Sequence, residues 1–147
     1  MYIFIAADHR GYAVKQAIVA YLHRRNISCE DLGGDTYDAN DDFPVFAAKA
    51  AHAVLGRKDS FAILVCGSGQ GMVMAANRIR GIRAGLGWSI AAARSVRNDE
   101  DSNVLAIPAE LFEQNEQHVY AIIDTFLDTP FAQAARYKRR NIQLDQL

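Results

Sequence analysis

Short apolar runs alternate with longer amphipathic stretches through the whole chain. Tyr2 to Ala7 is apolar without interruption and ends in Asp8-His9-Arg10-Gly11. A run of that kind predicts a strand buried on both faces, as in a parallel sheet. Tyr12 to Arg25 carries apolar residues at helical spacing (Val14, Ala17, Ile18, Tyr21, Leu22), and Asn26 stops it. Ile27 to Leu32 predicts a second, more polar strand near a sheet edge, closed by Gly33-Gly34-Asp35. Thr36 to Asp42, with Asp38, Asn40, Asp41 and Asp42, has the composition of a loop. Pro44 to Leu55 predicts a helix with proline in its first turn, and Gly56 to Ser60 turns into the third strand, Phe61 to Val65.

The same alternation continues. Gly71 to Ile79 predicts a helix, Ile82 to Leu86 a fourth strand, Trp88 to Arg97 a helix and Val104 to Ile107 a short fifth strand. Asn98 to Ser102 reads as an acidic loop, and Glu110 to Leu127 as one long amphipathic helix broken by Thr129-Pro130. A last helix is expected from Phe131 onward. Five strand-helix units with short connections predict a parallel sheet with helices on both faces, in a single domain. The last helix has no strand after it and is expected to pack elsewhere, such as on a partner subunit.

Composition narrows the partners. A net charge of −1 on 147 residues gives no reason to expect a nucleic acid or a membrane surface. The N-terminal Met1-Tyr-Ile-Phe-Ile5 lacks the basic start of a signal peptide, and no apolar run is long enough for a membrane span. The two cysteines, Cys29 and Cys66, are not in a CxxC pair. That excludes a disulfide framework or zinc knuckle, and the expected compartment is a reducing cytoplasm.

The chemistry centres on Cys66-Gly67-Ser68-Gly69-Gln70-Gly71, directly after the third strand. A strand-loop-helix junction of this kind turns main-chain N–H groups toward an anion and sets a thiol at a strand's carboxyl end, where open α/β sheets keep their ligands. The GxGxG spacing does not match the dinucleotide fingerprint. Asp8, His9 and Arg10 follow the first strand and belong on the same sheet edge, although they also fit a helix cap and surface residues. Asp99 and Glu100 lie just before the fifth strand and are grouped with the same edge, less securely, because a loop that follows a helix starts on the opposite one. Arg136 and Arg140 are four apart, share a helical face and suit a phosphate, or else form a solvated face. His23, His52 and His118 have no metal-ligand spacing.

These residues together resemble ribose-5-phosphate isomerase type B and the related galactose-6-phosphate isomerase subunits. The resemblance runs nearly end to end. It is carried by Ala7-Asp8-His9-Arg10-Gly11-Tyr12 with Lys15, Asp42-Phe43-Pro44, Cys66 to Gly71 with Ala75-Ala76-Asn77, Gly81-Ile82-Arg83-Ala84, Asn103-Val104-Leu105-Ala106, and Arg136 with Arg140. It implies a Rossmann-like α/β/α sandwich, acting as a homodimer or homotetramer with shared sites. The implied reaction is a metal-independent and cofactor-free aldose–ketose isomerisation of a sugar phosphate. Under that resemblance Cys66 is the base. Ser68 and the backbone of Gly67, Gly69 and Gly71 hold the enediolate oxygen, and Asp8 handles hydroxyl protons. His9, Arg10, Arg136 and Arg140 hold the phosphate.

One segment departs from the family. A His-Asn pair, resembling a ring-opening acid/base and a hydroxyl ligand from the neighbouring subunit, is replaced by Asp99-Glu100. The tyrosine of the Asp-Tyr-Pro element is Phe43, and Met72 stands where some members carry a glutamate base. Ribose 5-phosphate is the expected substrate. The changed pair leaves another pentose or hexose phosphate open, as well as a binding protein without turnover.

Overall fold

The computed structural model describes residues 1–34 and 36–147; the predicted end of the second strand falls partly on Asp35, outside that range. Five strands, β1 (Tyr2–Ala7), β2 (Cys29–Asp31), β3 (Ser60–Cys66), β4 (Ala84–Leu86) and β5 (Val104–Pro108), form one all-parallel sheet in the order β2-β1-β3-β5-β4. The helices are α1 (Tyr12–Arg24), α2 (Phe43–Gly56), α3 (Gln70–Ala76), α4 (Ile90–Glu100), α5 (Ala109–Gln114), α6 (Glu116–Asp128) and α7 (Ala135–Leu144).

The apolar runs exist because both sheet faces are covered. Ile3, Ile5, Ala7, Ile63, Val65, Leu105 and Ile107 face one core with α1, α4, α5 and α6. Phe4, Ala6, Leu64, Cys66 and Ala106 face a second core with α2 and α3. Successive strand residues point to opposite faces, so a strand covered on both sides must be apolar throughout. The resulting three-layer α/β/α sandwich is the expected class. The polar β2 is an edge strand, as its sequence predicted, although only Cys29–Asp31 are strand.

Three expectations need correction. Asn98, Asp99 and Glu100 are not loop; they form the last turn of α4. Arg97 holds that turn, donating to Asp101 Oδ1 at 2.9 Å and to the Ser102 carbonyl at 2.7 Å. Asp101, at φ 48°, takes the left-handed terminal position that glycine usually supplies. The long helix predicted over 110–127 is two helices. Asn115 at φ −159° is extended, and its side chain accepts from the His118 N–H at 3.0 Å, capping α6. The last helix starts at Ala135 rather than Phe131, and it packs on α4 of its own chain. Its far end is tied by Arg83, which lies 3.2 Å from the Asp145 carboxylate. Among the described residues no helix is long and apolar enough to cross a membrane.

Candidate active site

The chain runs from β1 outward to β2, then returns to place β3 on the other side of β1. That reversal opens a crevice at the carboxyl ends of β1 and β3, where sheets of this kind bind ligands. Ala7 and Val65 are register partners, and Asp8 N donates to the Val65 carbonyl at 3.3 Å. Asp8 and Cys66 therefore emerge side by side from adjacent strands, with backbones roughly 5 Å apart.

Both are sheltered: Cys66 is 5% exposed and Asp8 6%. Burial pushes the Asp8 carboxyl above the usual aspartate range, while the Gly11 N–H, which donates to Asp8 Oδ1 at 3.0 Å, pulls the other way. The carboxyl thus acts as a local cap at the start of α1 and also carries a perturbed proton affinity at the crevice floor.

After Cys66 the chain turns sharply. Gly69 sits at φ 75°, and a Cβ there would lie 2.5 Å from Leu86 Cδ1 and 3.3 Å from Pro108 N. The turn is pressed against β4 and β5, and left-handed backbone favours glycine. Ser68 is exposed beside it, 3.4 Å from the Gln70 N–H. At Gly67 a Cβ would collide with the Arg10 guanidinium, which lies across the loop. Arg10 continues to Glu110 Oε1 at 2.7 Å, and Glu110 N donates to the Gly67 carbonyl at 3.3 Å. Gly71 packs under the Phe43 ring. A thiol, a raised carboxyl, a hydroxyl and a narrow glycine turn with an arginine above it can abstract a proton and stabilise an oxyanion.

His9 stands at the rim. Its main-chain N–H donates to Asp41 Oδ1 at 3.0 Å, and its ring Nδ1 lies 2.7 Å from the same oxygen. The Asp38 side chain turns that loop by accepting from the Asn40 N–H, and the Asp38 carbonyl accepts from Asp41 N. Asp41 was not singled out from the sequence, since nothing there separates it from Asp38 and Asp42. Glu110 was missed as well, because its partner lies a hundred positions away.

One chain does not gather every candidate. Asp99 and Glu100 end α4 at the strand-entry edge, about 13 Å of β5 away from the glycine turn. Asp99 accepts from the Asn98 side chain at 2.7 Å. Glu100 borders a cleft of about 660 Å³ with Arg83, Leu144 and Asp145, on that far edge. Arg136 and Arg140 are exposed on α7, whose contacts are also on that side. The grouping of Asp99 and Glu100 with the carboxyl edge is therefore corrected: they end α4 just before β5 begins, on the strand-entry side. Among the described residues no group of three or more His, Cys, Asp or Glu could hold a metal ion.

Comparison with known proteins gives a consistent result. The Ribose/Galactose Isomerase family profile matches residues 3–144. The chain is 35% identical over 140 residues to ribose-5-phosphate isomerase B of Mycolicibacterium paratuberculosis, spanning 95% of this chain and 87% of the other. Its structure resembles ribose 5-phosphate isomerase from Thermotoga maritima at a TM-score of 0.93 and 37% identity, covering 99% of this chain and 98% of that one. It also resembles ribose-5-phosphate isomerase B from Mycoplasma genitalium with bound ribulose-5-phosphate, at a TM-score of 0.91 and 35% identity, covering 99% and 94%.

Proposed function

Because this chain belongs to the ribose/galactose isomerase family, we propose that it interconverts ribose 5-phosphate and ribulose 5-phosphate. The observation that carries this reading is Cys66 beside Asp8, at the mouth of the glycine turn, where β1 and β3 part. Cys66, as thiolate, takes the proton from C2 of the open-chain aldose. Charge then develops on the C1 oxygen, where Ser68 and the main-chain N–H groups of Gly67 to Gly71 receive it. Asp8 moves the hydroxyl proton between the two oxygens of the enediolate. Cys66 returns its proton to C1, giving the ketose.

Phosphate recognition falls to His9 and Arg10 from this chain, and to Arg136 and Arg140 from a second copy. Asp99 and Glu100 would likewise reach the site of a neighbouring subunit, with Asp99 opening the ring and Glu100 holding a hydroxyl. The support for a shared site is that these four residues lie away from Cys66 in their own chain while the chemistry needs them near it. Exposed Val45, Leu55 and Met74 on α2 and α3, and Ile142 and Leu144 on α7, offer apolar surface for a homodimer or tetramer.

The test is proton NMR in D2O with ribose 5-phosphate. Ketose formation with loss of the C2–H signal is expected, and Cys66→Ala should reduce the rate by at least about 10²-fold with the fold retained. Full activity in that variant refutes the base assignment. Saturable binding of ribose 5-phosphate with no C2–H exchange in the wild type would point instead to a sugar-phosphate-binding protein.

A further inference from the structure

The imidazole of His9 is held by a side chain that the reaction itself does not use. Asp41 Oδ1 receives the His9 main-chain N–H at 3.0 Å and faces ring Nδ1 at 2.7 Å. The Asp41 side chain is only 10% exposed, and that of His9 28%. As a carboxylate, Asp41 has acceptors and no hydrogen to give, so this contact requires the hydrogen on Nδ1. In the neutral ring, Nε2 is then a bare lone pair, and among the described residues it has no hydrogen-bond partner. Among the described residues, the other groups near the ring are Asp8, at the end of β1, whose carboxyl feels the His9 charge, and Tyr37, edge-on with ring centres 6.3 Å apart, from the segment after β2. Arg10, next in sequence, is turned to Glu110. A neutral His9 so held presents the wrong polarity to a phosphate oxygen.

We propose that Asp41 is a positioning residue that locks His9 with its hydrogen on Nδ1, so that His9 binds a sugar phosphate only by taking up a solvent proton at Nε2. This rests on the reading of His9 as a phosphate ligand. The carboxylate has two effects. It removes the neutral form that could donate from Nε2, and it compensates the imidazolium once that has formed. Sugar-phosphate binding thereby becomes linked to proton uptake at one ring. Without Asp41 the neutral ring is released to carry its hydrogen on Nε2 and to donate to phosphate with no change of charge.

The experiment is nitrogen NMR on protein labelled with ¹⁵N in its histidine rings, His9 being assigned with His9→Gln. Spectra are taken at about pH 8, where an ordinary imidazole is neutral. In the wild type, His9 is expected as the Nδ1–H form, and saturation with ribose 5-phosphate should convert it to the imidazolium. In Asp41→Ala the free ring is expected mainly as Nε2–H. Because binding takes up a proton in the wild type, KM for ribose 5-phosphate should rise with pH toward about tenfold per unit at alkaline pH, and in Asp41→Ala by less than about threefold. Asp41→Glu, which restores a carboxylate, should recover part of the wild-type slope. An Nε2–H ring in the wild type, or an unchanged tautomer in Asp41→Ala, overturns the lock. A ring that stays neutral in the saturated wild type overturns the proton linkage. Failure to saturate with ribose 5-phosphate refutes the functional reading instead, while the tautomer of the free protein still decides the lock.

Discussion

Replacing Lys15 by methionine tests how the β2 end of the crevice is held. Lys15 is among the largest fully buried side chains, at 0% exposure. Its ammonium donates to Asp31 Oδ1 at 2.7 Å, to the Gly33 carbonyl and to the Gly34 carbonyl at 2.8 Å, and sits 5.4 Å from the Tyr12 ring centre. All three of its hydrogens are therefore used, at the point where β2 gives way to the segment leading to Asp41. Methionine keeps most of the apolar stem and removes the donor. The two carbonyls lose their partner, at about 1–3 kcal/mol each. Asp31 is 30% exposed and rehydrates, so its loss costs about 0–1 kcal/mol. Together these come to about 2–7 kcal/mol, which is large against a typical net stability of about 5–15 kcal/mol. Urea unfolding at neutral pH should show that loss with an unchanged m-value, and Tm should fall by roughly 5–25 °C. Hydrogen exchange should quicken first in residues 32–34 and 36–42 rather than in β3. A loss below about 1 kcal/mol would refute the reasoning, since it would mean that the carbonyls find other donors at no cost.

Three further substitutions probe the crevice. Asp8→Asn should abolish turnover and stabilise the fold at neutral pH, because burial raises the folded-state carboxyl above its unfolded value. The wild type carries that cost above the raised pKa and sheds it as pH falls toward the unfolded value, about pH 4. A stability gap that widens on acidification would contradict the sign. Gly69→Ala should cost about 2–3 kcal/mol from left-handed strain and the Leu86 contact, and slow turnover by misplacing the loop amides; a neutral thermal melt would contradict this. Glu110→Gln breaks an ion pair that is more than half exposed on both sides, so stability should move by less than about 1 kcal/mol. Releasing Arg10 should lower KM for ribose 5-phosphate about two- to fivefold, and an unchanged KM would remove Arg10 from the phosphate site.

Much of this site was legible before the structure. The cysteine, the glycine turn and the Asp8-His9-Arg10 segment each follow an apolar run, and a strand's carboxyl end is set by chain direction alone. The departures are equally physical. Asn98 to Glu100 read as loop from polar composition, but Arg97 reaching Asp101 and Ser102 keeps them helical. The break at Asn115 was hidden because the amphipathic spacing continues across it, and only the cap to His118 reveals it. Asp41, Glu110 and Lys15 act through partners distant in sequence, and pattern carries no record of such pairs.

The order of residues was enough to determine the element types, the parallel sheet and the placing of Cys66 and Asp8 on one edge. Periodicity of burial and the direction of the chain are local properties, written at each position. The tertiary structure decided which strands are neighbours and that the crevice opens between β1 and β3. It also decided that His9 turns to Asp41 and that Asp99, Glu100, Arg136 and Arg140 lie away from Cys66. Those outcomes depend on which helix covers which sheet face and on contacts between distant segments, and these arise only when the chain closes on itself.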